Sequence, residues 1–304
     1  MINVFLTYRC NLACPYCFAR GLADLYPPAL GRTDFNRLLA WLEQYAVGGV
    51  ALLGGEPTLH PGLPVMLAAL HGRGIMTALF TNGLFPPALR EVLAGTVTNF
   101  VVNFNDRSLL SDGQARLFHA NLDYLKRQGC RLAFSKNFSA DFLAYGELLA
   151  ACGQYGVSHV RYDISRPDYR QGNVYYDLEK TRAVAGTVAS FARECAARGI
   201  RAGLDCCIPL CYFAPAEREW LQTHATKFTG ICHPSLDIHP DLSVSYCLPL
   251  RGVSAADCTA FAGEGALLRH FAALVKDMRF KPRFAGCVTC ASYRRRCQAG
   301  CMAL

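Results

Sequence analysis

The chain has 304 residues, 52% of them hydrophobic, enough for one large core or for a core with a smaller satellite domain. Its 31 basic and 23 acidic side chains leave a formal charge of +8, a mild excess spread along the sequence that describes a solvated basic surface more readily than a preference for an anionic substrate. No apolar stretch reaches the roughly eighteen residues of a membrane span, and the N-terminus lacks a signal-like pattern, so a cytoplasmic protein without a membrane partner is expected. Sixteen cysteines then need a reason other than disulfides. Metal binding is the leading one.

From residue 2 to about residue 200, short apolar runs alternate with helical patterns. Six strands are predicted: "INVFLTY" (2 to 8), "GVALLG" (49 to 54), "IMTALF" (75 to 80), "TNFVVNF" (98 to 104), "RLAFS" (131 to 135) and "SHVRYDI" (158 to 164). The first helix is expected over "TDFNRLLAWLEQYA", with Thr33 as N-cap and Phe35, Leu38, Leu39 and Leu42 on its buried face. Each connection is long enough for a right-handed crossover, which makes the strands parallel. The chemically unusual residues all follow strand C-terminal ends: three cysteines after the first, "GGEP" after the second, "TNG" after the third, then "NFND", "SKN" and "YDIS". That is where barrel-type α/β folds build sites. An open dinucleotide-binding sheet also fits the alternation, but its glycine fingerprint is missing from the first turn.

"CNLACPYC" places Cys10, Cys14 and Cys17 at CxxxCxxC spacing with Tyr16 before the last cysteine. A four-iron cluster takes one thiolate per iron, so three thiolates leave one iron open. An open position marks a reactive centre rather than a closed structural one. The alternative is a zinc knuckle completed by a distant ligand such as His60. With "GGEP" (Gly54 to Pro57) and "TNG" (Thr81 to Gly83) at the next two strand ends, the first 200 residues resemble the radical S-adenosylmethionine (SAM) superfamily.

That resemblance implies a partial (β/α)6 TIM-like barrel and a [4Fe-4S] cluster on Cys10, Cys14 and Cys17 whose open iron binds SAM. It implies reductive cleavage of SAM to a 5'-deoxyadenosyl radical that abstracts a substrate hydrogen atom, with a flavodoxin- or ferredoxin-type electron donor. Gly54, Gly55 and Glu56 would contact the methionine end of SAM, the glutamate by pairing with its ammonium group. Tyr16, Asn82, Asn103 and Ser135, with Asn105, Lys136, Asn137 and Asp163, are further candidates for cofactor or substrate contacts, each balanced against an ordinary loop hydrogen-bonding role.

After residue 200 the pattern becomes dense in Cys, Pro and Gly, and a boundary there divides a core barrel (1–200) from a small cysteine-rich domain (201–304) held by metal rather than by apolar area. Cys287, Cys290, Cys297 and Cys301 form a CxxCx6CxxxC array, Cys232 and Cys247 frame a hairpin, and Cys206, Cys207 and Cys211 precede it. Spacing alone leaves zinc and iron-sulfur level. The region resembles SPASM and twitch extensions, which implies auxiliary [4Fe-4S] clusters, with two departures. The array's middle gap is six residues rather than five and lacks the further downstream cysteine, and Leu242 stands where the hairpin glycine is usual. The assignment expected is one cluster on Cys232 and Cys247 with Cys211 and members of the array; a second site on the remaining array cysteines with Cys206 or Cys207 stays open. Cys258 is a candidate hydrogen donor, against a packed cysteine. Cys130, Cys152 and Cys195 read as buried hydrophobes.

Two reactions fit the resemblance. One is modification of a peptide or protein side chain by cross-linking, oxidation or epimerisation, served by a separate peptide-recognition protein because the chain starts at its first strand. The other is dehydrogenation or epimerisation of a small molecule such as a sugar, aminoglycoside or nucleoside intermediate. A zinc module touching nucleic-acid phosphates through "SYRRRC" would make the first 200 residues a coincidence.

Overall fold

Runs of Val, Ile, Leu and Phe too short for a helix and bounded by polar turns form strands at all six expected positions: β1 (Ile2–Thr7), β2 (Gly49–Gly54), β3 (Met76–Thr81), β4 (Asn99–Asn103), β5 (Leu132–Phe138) and β6 (His159–Ile164). In this computed structural model, which describes residues 1–304 except Arg20, Tyr169 and Arg251, they pair in parallel and in sequence order. The crossovers are α1 (Arg32–Gln44), α2 (Leu63–His71), α3 (Arg90–Thr96), α4 (Asp112–Arg127) and α5 (Gly146–Tyr155); α6 (Leu178–Ala197) follows β6. Helix α1 starts two residues earlier than expected. Gly31, with extended backbone, takes the cap position and Thr33 lies in the first turn, while Phe35, Leu38, Leu39 and Leu42 are buried as their spacing requires.

The sheet continues past β6. Strand β7 (Arg201–Leu204) pairs in parallel with β6, and β8 (Leu236–Ile238) pairs in parallel with the other edge of β1, followed by antiparallel β9 (Val244–Tyr246) and β10 (Ser254–Ala255). The result is a ten-stranded, largely parallel α/β sheet of the partial TIM-like barrel kind with β1 in its interior. Residues beyond 200 therefore do more than surround a metal: Leu236, Ile238, Val244 and Phe271 belong to the same apolar cluster as Leu6, Leu52 and Phe100. A strand as buried as β1 cannot leave one edge of N–H and C=O groups unpaired, and the hairpin supplies the partner.

At the hairpin turn Leu242 occupies the position where glycine is usual, with φ 66°. A left-handed leucine costs about 1–2 kcal/mol, but this side chain is fully buried, and removing a buried leucine costs about 2–5 kcal/mol. Burial outweighs strain, which accounts for leucine here.

The hairpin is tied to the end of β1 through a buried polar chain. Tyr8 Oη hydrogen-bonds His239 Nδ1 (2.5 Å), and His239 Nε2 meets Ser245 Oγ (2.6 Å). Tyr26 stacks flat on the imidazole, ring centres 3.8 Å apart, within a small apolar cluster formed by Phe5, Tyr8, Leu22 and Leu248. Burial lowers the His239 pKa from 6.5 to about 4, against a smaller raising influence of Asp241. Between these values the unfolded chain binds a proton that the folded chain refuses, so stability falls as pH drops from 6.5 toward 4. A shift of that size corresponds to about 3 kcal/mol. The unfolding midpoint should fall over this window, and His239→Gln should flatten the fall; an equally steep fall in the variant would show that other groups carry it.

Candidate active site

The loop after β1 carries the three cysteines and packs against the end of β2. Gly55 N–H donates to Thr7 O (2.8 Å) and Glu56 N–H to Arg9 O (2.9 Å). A Cβ on Gly54 would lie 2.2 Å from Thr7 O, and one on Gly55 2.5 Å from Arg9 O and 2.7 Å from Tyr8 O. The glycine pair is thus required by backbone-to-backbone approach between the two loops, whatever it also offers a ligand.

Glu56 is fully buried and points inward. Its Oε1 accepts from Thr58 N (3.2 Å), Thr58 Oγ1 (2.6 Å) and Thr81 Oγ1 (2.8 Å), and its Oε2 accepts from Asn82 N (2.7 Å). Burial raises its pKa, opposed by those same hydrogen bonds. These bonds lock the "TNG" turn to the "GGEP" turn; three fall on Oε1, while Oε2 accepts one and keeps a second lone pair, the position on which the ammonium pairing expected of this carboxylate would rest. Asn82 continues the lock. Its Nδ2 donates to Asn11 Oδ1 (2.6 Å) and lies 3.9 Å from Cys10 Sγ, while its Oδ1 accepts from Leu84 N (2.9 Å).

The three thiols lie close enough to act on one another. Burial raises the Cys10 thiol, with Glu56 and Cys17 adding to the rise, and raises Cys14 to about 11, with Cys17 the next cause. Such thiols stay protonated unless a cation joins them; a bound metal removes the proton outright. Leu12 N–H points at Cys10 Sγ (3.4 Å), the kind of hydrogen bond that stabilises a ligating sulfur. Asn105 anchors the far side of the loop: its Oδ1 accepts from Tyr16 Oη (2.6 Å), from Asn103 Nδ2 (2.8 Å) and from Cys14 Sγ (3.7 Å). Tyr16 is buried with its hydroxyl spent on Asn105 and its ring edge-on to Phe142. Three half-exposed or exposed thiols on a pinned loop, with a donor at one sulfur, fit a three-thiolate cluster site.

Asn103 and Ser135 are register partners on β4 and β5, and Asn137 and Asp163 on β5 and β6, so all four project from one face. Arg161 shares that face, stacks 4.5 Å above Phe80 and pairs with Asp205. Lys136, offset by one residue, faces the helices instead, buried near Phe138. Sequence reasoning passed over Asp237, whose buried carboxylate accepts from Asn3 Nδ2 (2.6 Å), Ser235 Oγ (2.9 Å) and Leu248 N (3.1 Å). It also passed over Arg166, whose Nη2 donates to Cys207 O (3.0 Å) and whose buried Nε has no partner among the described residues. The signal for Arg166 was a cation directly after "YDIS".

The C-terminal cysteines separate into two groups. Cys207 donates to Cys232, which raises the first thiol and lowers the second, and both stand near Arg166. Cys206 lies beside Asp163, Arg166, Cys301 and Cys247, and Cys247 beside Cys301, Asp237 and Cys232. This inner group of Cys206, Cys207, Cys232, Cys247 and Cys301 thus abuts the β6 end of the polar face. Cys211 joins the other group, near Cys297 and Cys287, and not Cys232 and Cys247 as expected. Cys211 lies in the short helix Leu210–Tyr212, and Leu210 meets Gly230 beside the backbone of Cys297. Among the described residues no three His, Cys, Asp or Glu side chains converge closely enough for a single ion. A four-iron cluster spaces its thiolates more widely, one to each iron.

Two expectations are corrected by burial. Cys258 has no exposed surface, lies in the main apolar core, and is raised to about 12 by that burial, so it is a packed hydrophobe and not a hydrogen donor. His60 engages Leu30 O (3.0 Å) and Gly62 N (3.1 Å) through its two ring nitrogens and completes no zinc knuckle.

Comparison with known proteins agrees with this geometry. Residues 4–108 match the sequence model of the radical SAM superfamily, and the chain carries a radical SAM domain; members of that superfamily are enzymes, and the domain implies a [4Fe-4S] cluster and SAM. The 7-carboxy-7-deazaguanine synthase of Neisseria meningitidis is 28% identical over 160 residues, which are 52% of this chain and 68% of that protein. An S-adenosylmethionine-dependent nucleotide dehydratase of a Thermoplasmatales archaeon is 35% identical over 81 residues, 27% of this chain and 28% of the relative. Two solved structures share the fold over 99% of this chain: Streptococcus suis SuiB bound to S-adenosylmethionine (TM-score 0.68, 17% identity, 72% of that chain) and anSMEcpe with bound AdoMet (TM-score 0.72, 15% identity, 88% of that chain). Among the described residues no helix is long and apolar enough to cross a membrane.

Gly55→Ala should push the cysteine loop off its seat and lower iron retention several-fold in anaerobically prepared protein. Glu56→Gln turns an amide N–H2 toward a donor, and leaving a buried group unsatisfied costs roughly 1–3 kcal/mol, read as a lower unfolding midpoint. An unchanged midpoint with lost SAM binding would instead mean that the carboxylate faces the ligand.

Proposed function

We propose that the chain uses its radical SAM domain to modify a peptide or protein side chain, by cross-linking, oxidation or epimerisation, with auxiliary iron-sulfur chemistry of the SPASM or twitch kind. The observation that carries this reading is Asp163. It shares the polar face with Asn103, Ser135 and Asn137, and it also lies beside Cys206 and Cys247 of the inner thiol group. A substrate held on that face would stand between the three-cysteine loop and a second group of thiols suited to an electron-accepting cluster.

Cys10, Cys14 and Cys17 would hold the SAM-binding [4Fe-4S] cluster, and the backbone at Gly54 and Gly55 would meet the methionine end of SAM. When bound, these cofactors supply hydrogen-atom abstraction by a 5'-deoxyadenosyl radical. Glu56 and Asn82 keep the loop at its fixed distance from β2 and β3. Asn103, Ser135 and Asn137 offer donors and acceptors to the substrate, and Asp163, raised by burial with Arg166 opposing, is placed to exchange a proton with it. A flavodoxin- or ferredoxin-type donor would supply electrons in a cytoplasmic setting, and a separate peptide-recognition protein would deliver the substrate. The peptide reading is supported by the fold likeness to SuiB, solved with its precursor peptide SuiA, and to anSMEcpe, solved with the Kp18Cys peptide.

A second reading has its own support. The deazaguanine synthase and nucleotide dehydratase relatives favour a small-molecule substrate; in this reading the reaction would be dehydrogenation or epimerisation of a sugar, aminoglycoside or nucleoside intermediate. Reduced enzyme should convert SAM to 5'-deoxyadenosine, and replacing Cys10, Cys14 and Cys17 with alanine should abolish it. Retained production would refute the assignment. Deuterium carried into 5'-deoxyadenosine from a labelled peptide, and not from labelled nucleosides or sugars, separates the two readings.

A further inference from the structure

The terminal array reads as four consecutive ligands, yet the fold divides it. Ala299 (φ 67°) and Gly300 (φ 103°) turn the chain between Cys297 and Cys301, so that Cys301 is buried beside Arg166, Cys232 and Asp163 while Cys297 stays with the outer group. The array alone therefore leaves the outer group with three cysteines: Cys287, Cys290 and Cys297.

Three contacts bring Cys211 to that group. Gly230 is pinched between segments, with the position of a Cβ only 2.8 Å from Leu210 Cγ, 2.7 Å from Arg296 O and 3.1 Å from Cys297 Cα. Only glycine lets the residue before Cys211 and the backbone of Cys297 meet there, and Gln298 N–H seals the contact on Gly230 O (2.9 Å). Tyr212 packs edge-on to Phe284, ring centres 6.1 Å apart, at the start of the short helix that carries Cys287. The sulfur environment also matches the first site: Ala299 N–H points at Cys297 Sγ at 3.4 Å, as Leu12 N–H does at Cys10 Sγ. Arg182 lays its guanidinium 4.8 Å over the ring of Tyr212, the residue after Cys211.

We propose that Cys211 is the fourth ligand of a closed [4Fe-4S] site completed by Cys287, Cys290 and Cys297, so that one ligand comes from upstream of the β8–β9 hairpin and three from downstream. This rests on the auxiliary iron-sulfur reading above. A site saturated by four thiolates has no open iron for substrate, unlike that of Cys10, Cys14 and Cys17. The inner group then keeps five thiols, one more than a second cluster needs.

Cys211 and Cys290 are exposed, so as free thiols they would alkylate readily. In iron-loaded wild-type protein, brief iodoacetamide treatment and peptide mapping should find both protected, and chelation of the iron should expose both together. Labelling of Cys211 in the loaded protein at the rate of the iron-free protein overturns the proposal. With Cys10, Cys14 and Cys17 replaced by alanine, adding Cys211→Ala should remove about four irons per chain or convert their signal to a three-iron type, while Cys258→Ala should leave iron unchanged. Equal iron and an equal spectrum with and without Cys211→Ala, or zinc in place of iron, overturns it. Neither readout uses SAM, so loss of the SAM-cleavage assignment would leave this result standing, and the reverse.

Discussion

A buried carboxylate with no room to move holds the catalytic end of this protein together. Glu56 takes hydrogen bonds from two threonines and from the backbone at Thr58 and Asn82, and through them fixes the ends of β2 and β3 to each other. Asn82 extends the tie to Asn11, within the cysteine loop. A carboxylate in an apolar interior is tolerated only when it is hydrogen-bonded. The whole rim therefore depends on the register of three strand ends, and a shift in any one would strand the charge.

The same economy of backbone contact recurs where glycine has no substitute. Gly54 and Gly55 sit within a Cβ radius of the carbonyls of Thr7, Tyr8 and Arg9, and Gly230 sits within one of Arg296 and Leu210. At the first place close approach seats the three-cysteine loop; at the second it brings together two stretches of chain that each carry cysteines. Both are tertiary contacts expressed in a single residue type. In "GGEP" the motif advertises its glycines, whereas Gly230 in "TGIC" looks like an ordinary turn.

Strand β1 links the two halves. It is hydrogen-bonded to β2 on one side and β8 on the other, so the cysteine loop at its end is flanked by the barrel and by the hairpin. Tyr8 and Asn3 reach across to His239 and Asp237, which makes the C-terminal hairpin part of the support of the first site. Residues beyond 200 had the composition of a metal-held appendage because Cys, Pro and Gly are conspicuous, while the apolar residues that join the core are short and scattered. Local composition does not report which edge a three-residue strand will cover.

What the sequence determined by itself is what depends on a few neighbouring residues. The six parallel strands, the CxxxCxxC loop and the glycine-rich turn are written in runs and spacings of under ten residues, and backbone sterics and hydrophobic period leave them little alternative. Only the tertiary structure decided that Glu56 turns inward, that Cys258 is core, and that Cys301 parts from Cys297 while Cys211 joins it. Those outcomes depend on loops closing over scores of residues, and ten thiols of similar chemistry carry no label for their partners. Which of them meet is set by the hairpin on β1 and by the pinch at Gly230, contacts between segments that the linear order keeps apart.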